Sequence, residues 1–146
     1  IRPLQDQEIF FSFIEYGHPY HIIRKDLFQI TNNVDVLLVT GIANPEPFKK
    51  WLNANSNTYY ELSYSDHHIY SIDDLKSIIG RFEHLEAQTK IILTTEKDAV
   101  RLMKFSRELG DLPFYVMPIE SSILFNEEKR FTDLIVKFIS DFKFQS

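Results

Sequence analysis

The spacing of hydrophobic and polar positions changes several times along the chain, and each change predicts an element. Residues 8 to 15, Glu-Ile-Phe-Phe-Ser-Phe-Ile-Glu, are aromatic and β-branched and suit a strand. Tyr16-Gly17-His18-Pro19 is a turn signal, and Tyr20-His21-Ile22-Ile23 suits a second strand, so a β-hairpin or ribbon is expected over residues 1–30. Residues 34 to 40, Val-Asp-Val-Leu-Leu-Val-Thr, form a near-continuous apolar run ending at Gly41, the pattern of a strand buried on both faces. Asn44-Pro45-Glu46 then opens a helix, with Asn44 as cap and Phe48, Trp51 and Leu52 on one face. Tyr59 to Tyr64 alternates as a strand. Ser71-Ile72-Asp73-Asp74 has the spacing of a capping box, and Leu75, Ile78, Ile79 and Phe82 continue its helix.

The same rhythm continues to the end. Lys90 to Thr94 is a short apolar strand, and Thr95-Glu96-Lys97-Asp98 resembles a helix cap followed by Val100, Leu102, Met103 and Phe105. Pro113 to Met117 is a further strand. Asn126 is expected to cap a last helix carrying Phe131, Leu134, Ile135, Phe138 and Ile139 at helical spacing. Strands alternating with helices predict an α/β domain over residues 31–146. Its form would be three layers, with a mostly parallel sheet, helices on both faces and right-handed crossovers. Ligands of such sheets sit at the carboxyl ends of the strands. Those ends are Thr40-Gly41, Ser65-Asp66-His67-His68, Thr94-Thr95-Glu96-Lys97 and Pro118.

Composition narrows the functional classes. The chain has 146 residues, 44% of them hydrophobic, enough for one domain with a real core. Its formal net charge of -5 argues against a general nucleic-acid binder. There is no cysteine, which excludes disulfides and cysteine-based zinc sites. The longest apolar run, Val36-Leu37-Leu38-Val39, is far too short to cross a membrane. No apolar segment follows Arg2 as a signal peptide requires, and the start Ile1-Arg2-Pro3 has the look of a cut inside a longer protein or of a processed end.

Three strand ends carry candidate chemistry. Asp66-His67-His68 sets a carboxylate beside two imidazoles, a combination suited to proton transfer or metal binding. Adjacent side chains on a regular strand point opposite ways, so both histidines face one site only if the loop departs from strand geometry. Spacing alone leaves this segment between a turn and a site. A metal site is not expected, because no HxH or HxxxH spacing accompanies it. Thr95-Glu96-Lys97 opens a helix whose free N–H groups suit an anion, with Lys97 adding charge; on spacing alone a simple cap by Thr95 and Asp98 with a solvated Lys97 is the favoured account. Gly41 after a buried strand lets backbone approach a ligand, or merely makes a tight turn before Asn44. None of the four glycines begins a G-x-x-x-x-G-K-S/T loop, and there is no G-x-S-x-G elbow.

Three segments in order resemble motifs of one family. Val39-Thr40-Gly41-Ile42-Ala43-Asn44-Pro45-Glu46-Pro47-Phe48 is similar to a strand–Gly-Ile-x-x-Pro-x-x-Phe motif. Ser65-Asp66-His67-His68-Ile69-Tyr70 is similar to Asp-His-His-x-Tyr, departing at Ile69, where proline is common. Leu93 to Arg101 resembles Thr-Glu-Lys-Asp-Ala-Val. Their order over residues 34 to 120 resembles the C-terminal part of the tetraacyldisaccharide 4′-kinases, the lipid A 4′-kinases. The resemblance implies transfer of phosphate from ATP, with Mg²⁺, to the 4′-hydroxyl of a tetraacyldisaccharide 1-phosphate lipid. It also implies a partner within the same protein, an N-terminal P-loop domain that holds the nucleotide phosphates, the metal and a catalytic aspartate. Residues 1–30 would then be the linker to that domain, and the fragment would be inactive alone. A histidine of the motif is implied to orient or tune that aspartate, with His67 ahead of His68 and Asp66 holding the imidazole tautomer. The resemblance places the enzyme at the cytoplasmic face of the inner membrane, with no transmembrane segment in this part. The competing readings are a stand-alone nucleotide- or sugar-phosphate-binding module using the strand ends at Gly41 and Thr95, and a metal-dependent hydrolase built on Asp66-His67-His68.

Overall fold

The computed structural model describes Leu4 and residues 7–143. In chain order its strands and helices are β1 (Ser12–Tyr16), β2 (Tyr20–His21), β3 (Asp35–Thr40), α1 (Glu46–Asn55), β4 (Thr58–Ser63), α2 (Ile72–Glu83), β5 (Lys90–Thr95), α3 (Glu96–Leu102), α4 (Ser106–Leu109), β6 (Phe114–Met117), β7 (Ile119–Ile123) and α5 (Glu128–Lys143). The described residues divide into two compact units. One is Gly17–Pro118; the other joins the residues up to Tyr16 with those from Ile119 onward.

The Gly17–Pro118 unit is built on a five-stranded sheet in the order β2-β6-β5-β3-β4. β3 pairs in parallel with β4 and β5, β5 pairs in parallel with β6, and the two-residue β2 closes one edge antiparallel to β6. Every residue of β3 is buried, as its unbroken apolar run requires of a central strand. Alternation then assigns side chains to faces. Leu37, Val39, Ile92, Phe114 and Val116 share one core with Leu75, Ile78 and Phe82 of α2, Ala99 and Leu102 of α3 and Leu109 of α4. Val36, Leu38, Ile91 and Leu93 are equally buried and face the other way, and Phe48 and Leu52 are the buried residues of α1. This is the expected three-layer α/β arrangement with a mostly parallel sheet.

The expected β-hairpin is a correction. β1 and β2 do not pair: β1 pairs antiparallel with β7, from Ser12 opposite Ile123 to Tyr16 opposite Ile119. β2 is drawn to β6 instead, because buried His21 ties the following turn to that edge. Its Nδ1 accepts the N–H groups of Ile23 and Arg24, both at 3.1 Å, and its Nε2 lies 2.8 Å from the Leu112 carbonyl. With Nδ1 accepting, Nε2 carries the proton and donates. Gly17 N–H donates to the Pro118 carbonyl at 3.1 Å, and a side chain at Gly17 would meet the Pro118 ring at 3.0 Å.

Three local expectations also shift. The helix after β5 is broken into α3, a 3-10 turn over Met103–Phe105, and α4. Helix α1 is assigned from Glu46. Pro45 takes the N-cap position expected of Asn44, its carbonyl accepting Lys49 N–H at 3.0 Å, while the Asn44 Oδ1 accepts the Glu46 N–H at 3.2 Å from the loop just before the helix. Asn126 does not cap α5: Phe125 and Asn126 have left-handed φ values of 65° and 58°, and the first helical bond runs from Phe131 N–H to the Glu127 carbonyl. In the second unit, Phe10 meets Phe131 edge-on at 5.2 Å and Glu8 pairs with Arg130 at 2.9 Å.

Candidate functional site

β3 and β5 are neighbours whose following helices lie on opposite faces, and the crevice at such a switch point is where α/β sheets bind ligands. Here one carboxylate ties the two strand ends together. Asp98 is fully buried in the first turn of α3. It accepts the Gly41 N–H at 2.9 Å and the Thr95 hydroxyl at 2.9 Å, and Arg101 Nη1 lies 3.3 Å from its Oδ1. The Thr95 oxygen in turn accepts Asp98 N–H at 3.1 Å, the expected cap. A Cβ at Gly41 would sit 3.2 Å from Asp98 Oδ1, 3.2 Å from the Ser65 carbonyl and 3.4 Å from His68 Cβ. Glycine is therefore set here by the close approach of two neighbouring loops, with no positive φ involved. Tyr70 is fully buried, and its hydroxyl meets no partner at hydrogen-bond geometry. Burial, and then the negative charge of Asp98, push that hydroxyl far above the ordinary tyrosine range.

The two histidines separate. His67 adopts a left-handed φ of 61°, which turns the loop after β4 outward. Its side chain is 71% exposed. Arg101 Nη2 lies 3.2 Å from its Nδ1, and Asp66 Oδ2 lies 3.5 Å from its Nε2. Asp66 Oδ1 accepts the His67 N–H at 2.9 Å and the Lys97 ammonium at 3.1 Å. The Lys97 contact is the main reason its carboxyl is held below the ordinary aspartate value. His68, by contrast, is 26% exposed and turned inward. It stacks on Tyr64 at 4.5 Å, meets Tyr70 edge-on at 5.0 Å and lies 3.0 Å from Asp74 Oδ2.

That same Asp74 oxygen completes the capping box of α2, accepting Ser71 N–H at 2.7 Å and the Ser71 hydroxyl at 2.8 Å. The Ser71 N–H, followed by His68, holds the Asp74 carboxyl below its usual value. Tyr64 is pushed up to about 12 by burial and the nearby Asp74 charge. The pair thus splits through the loop's own geometry, with the left-handed turn at His67: His67 is presented and His68 is anchored.

The remaining sequence candidates have defined places. Thr95 caps α3, Glu96 lies 3.4 Å from the Tyr20 hydroxyl, and Lys97 reaches across to Asp66. Asn44 lies exposed at the entrance to α1, on the same post-β3 loop as Gly41. Sequence reasoning took Asp98 only as a cap and did not single out Arg101, Tyr70 or Asp74 as parts of the site. The available signal was the Asp98–Arg101 spacing of three on a helix, which sets a carboxylate and a guanidinium side by side. Among the described residues no group of three or more histidines and carboxylates could hold a metal ion. No described helix is long and apolar enough to cross a membrane.

Comparison with known proteins places this chain in a family. The family model described as tetraacyldisaccharide-1-P 4'-kinase (LpxK) matches residues 10–140. A tetraacyldisaccharide 4'-kinase of Bacteroides thetaiotaomicron is 35% identical over 92% of this chain, which spans 39% of that relative's length. The enzyme of Parabacteroides distasonis is also 35% identical, over 91% of this chain and 38% of its own length. The crystal structure of an "apo" form of LpxK from Aquifex aeolicus in complex with ATP superposes with a TM-score of 0.54 at 20% identity, over 94% of this chain and 38% of that one. At that identity it speaks for the fold alone. The chain spans well under half the length of these relatives, and with the family model matching nearly all of it, it belongs to the tetraacyldisaccharide-1-P 4'-kinase family.

Proposed function

We propose that this chain is one lobe of a longer kinase that phosphorylates the 4′-hydroxyl of a tetraacyldisaccharide 1-phosphate from ATP, and that it contributes His67 to the site. The observation that carries this reading is the presentation of His67. It stands exposed at the carboxyl edge of the sheet, gripped at Nδ1 by Arg101 and flanked at Nε2 by Asp66.

The reaction forms a bond between the 4′-oxygen and the terminal phosphorus and breaks the bond to the departing diphosphate, while the hydroxyl proton passes to a base. It depends on positioning and on charge stabilisation. The base in this reading is a carboxylate of the remaining protein, which the imidazole of His67 orients. Asp66 and Lys97 hold the loop, and His68 anchors it to α2. Gly41 and Thr95 serve the loops beneath and leave the nucleotide phosphates to the rest of the protein. Neither a phosphate-binding loop in the sequence nor a metal-binding group among the described residues fits ATP phosphates or Mg²⁺ here. In this reading the remaining protein holds them.

The second unit supports the existence of such a remainder. Phe131, Leu134, Ile135, Phe138, Ile139 and Phe142 recur at helical spacing along α5 and remain between 37% and 71% exposed. An apolar face of this extent marks a contact surface, and its cover in this reading is the rest of the longer protein. The enzyme would act at the cytoplasmic face of the inner membrane, where its lipid lies. The test compares the isolated 146-residue chain with the longer protein, using labelled ATP and the disaccharide lipid. The chain alone is expected to give neither ATP hydrolysis nor lipid phosphorylation, and the longer protein to give both labelled lipid and ADP. Phosphorylation by the isolated chain would overturn the division of labour.

A further inference from the structure

We propose that Arg101 is a positioning residue for His67, bracing its imidazole from the buried Asp98 so that Nδ1 is kept as the acceptor and the proton sits on Nε2. The inference deepens the role proposed above for His67 and rests on it. It begins from a chemical asymmetry. A guanidinium has only donors, so its contact with an imidazole nitrogen has one possible direction. Arg101 Nη2 lies 3.2 Å from His67 Nδ1, which must therefore offer its lone pair. In the neutral ring the proton is then on Nε2, the nitrogen that Asp66 Oδ2 approaches at 3.5 Å. Arg101 and Asp66 thus address opposite nitrogens, one accepting and one donating, and favour the same tautomer.

The brace is rigid at its other end. Arg101 Nη1 lies 3.3 Å from Asp98 Oδ1, and Asp98 is fully buried. Its second oxygen takes the Gly41 N–H and the Thr95 hydroxyl, so the carboxylate is pinned to the ends of β3 and β5. Arg101 itself is only 23% exposed, against 71% for His67. An exposed loop with a left-handed residue at its tip is in this way referred to the two central strands through one planar side chain. Lysine cannot replace it: a single ammonium can neutralise Asp98, but it lacks the fork that reaches both partners.

The test uses the full-length protein. Arg101→Met and Arg101→Lys are both expected to lower kcat about tenfold with KM little changed, the size of a partial loss of proton-transfer geometry. Arg101→Lys keeps a cation beside Asp98 and so guards against a merely unfolded variant. In the His67→Ala background neither substitution should cost anything more. Nitrogen-15 spectra of His67 should show an unprotonated Nδ1 in the wild type and mixed tautomers in Arg101→Met. Three results would overturn the positioning role alone: wild-type kcat in a folded Arg101→Lys, a further loss in the His67→Ala background, or a protonated Nδ1 in the wild type. Unchanged turnover in His67→Ala would remove the proposed role of His67 and this inference together.

Discussion

A single buried carboxylate settles much of the local order. Asp98 has three donors around it, from Gly41, Thr95 and Arg101, each belonging to a different part of the site. Removing it leaves the Gly41 N–H and the Thr95 hydroxyl without their acceptor and a partly buried Arg101 without its counter-charge, and losses of this kind run to about 3 kcal/mol. Asp98→Ala should therefore lower stability by about that amount in urea unfolding of the chain, while a surface change such as Lys76→Ala should stay within about 0.5 kcal/mol. Equal effects would show that the Asp98 cluster is decoration. The sequence made part of this legible. The Asp66-His67-His68 segment and the Thr95 cap are local patterns, and both are where their residue types suggested. The links from Asp98 to Gly41 and from Arg101 to His67 cross 57 and 34 residues of chain, and no local pattern encodes them.

Among the elements, α2 shows how one cap serves two purposes. Ser71 and Asp74 form the full capping box that their spacing suggested, and the same Asp74 oxygen holds His68. Because these contacts depress the Asp74 pKa below its ordinary 3.8, they contribute stability at pH values above that figure. That contribution is lost as pH falls through the lowered folded value. Asp74→Asn should accordingly flatten the acid limb of the stability curve below about pH 4 and leave its slope near neutral pH unchanged. An acid limb as steep as the wild type's would assign it to other carboxylates.

The strands and helices themselves were mostly readable, since buried runs such as Val36 to Val39 and amphipathic stretches such as Leu75 to Phe82 carry their own period. Pairing partners were not. Phe11 to Glu15 shows that it is a strand without showing that it joins Ile119–Ile123, a short and serine-rich segment with little strand signal of its own. The entry to α5 was misplaced for a similar reason. Asparagine serves both as a helix cap and as a left-handed turn residue, and at Asn126 the turn prevails.

For the whole molecule, the family assignment and the exposed face of α5 agree in pointing to a larger protein. Phe138 is 69% exposed in the structure. Phe138→Glu should thus change the stability of the isolated chain by no more than about 0.5 kcal/mol, as befits a surface site. In the longer protein the same change should cost about 3 kcal/mol or more if that face is covered there, as burial of an unpaired charge does. Equal small effects in both would show that α5 has no cover.

The measurement that bears most directly on the central claim is the turnover of the full-length protein with His67 and His68 replaced singly. His67→Ala is expected to lower kcat more than about tenfold with its thermal unfolding unchanged, because it removes a presented group from the reaction. His68→Phe, which keeps the stacking on Tyr64, is expected to retain most of the turnover. Wild-type kcat in a folded His67→Ala protein would contradict the account and return the Asp66-His67-His68 loop to a purely structural role.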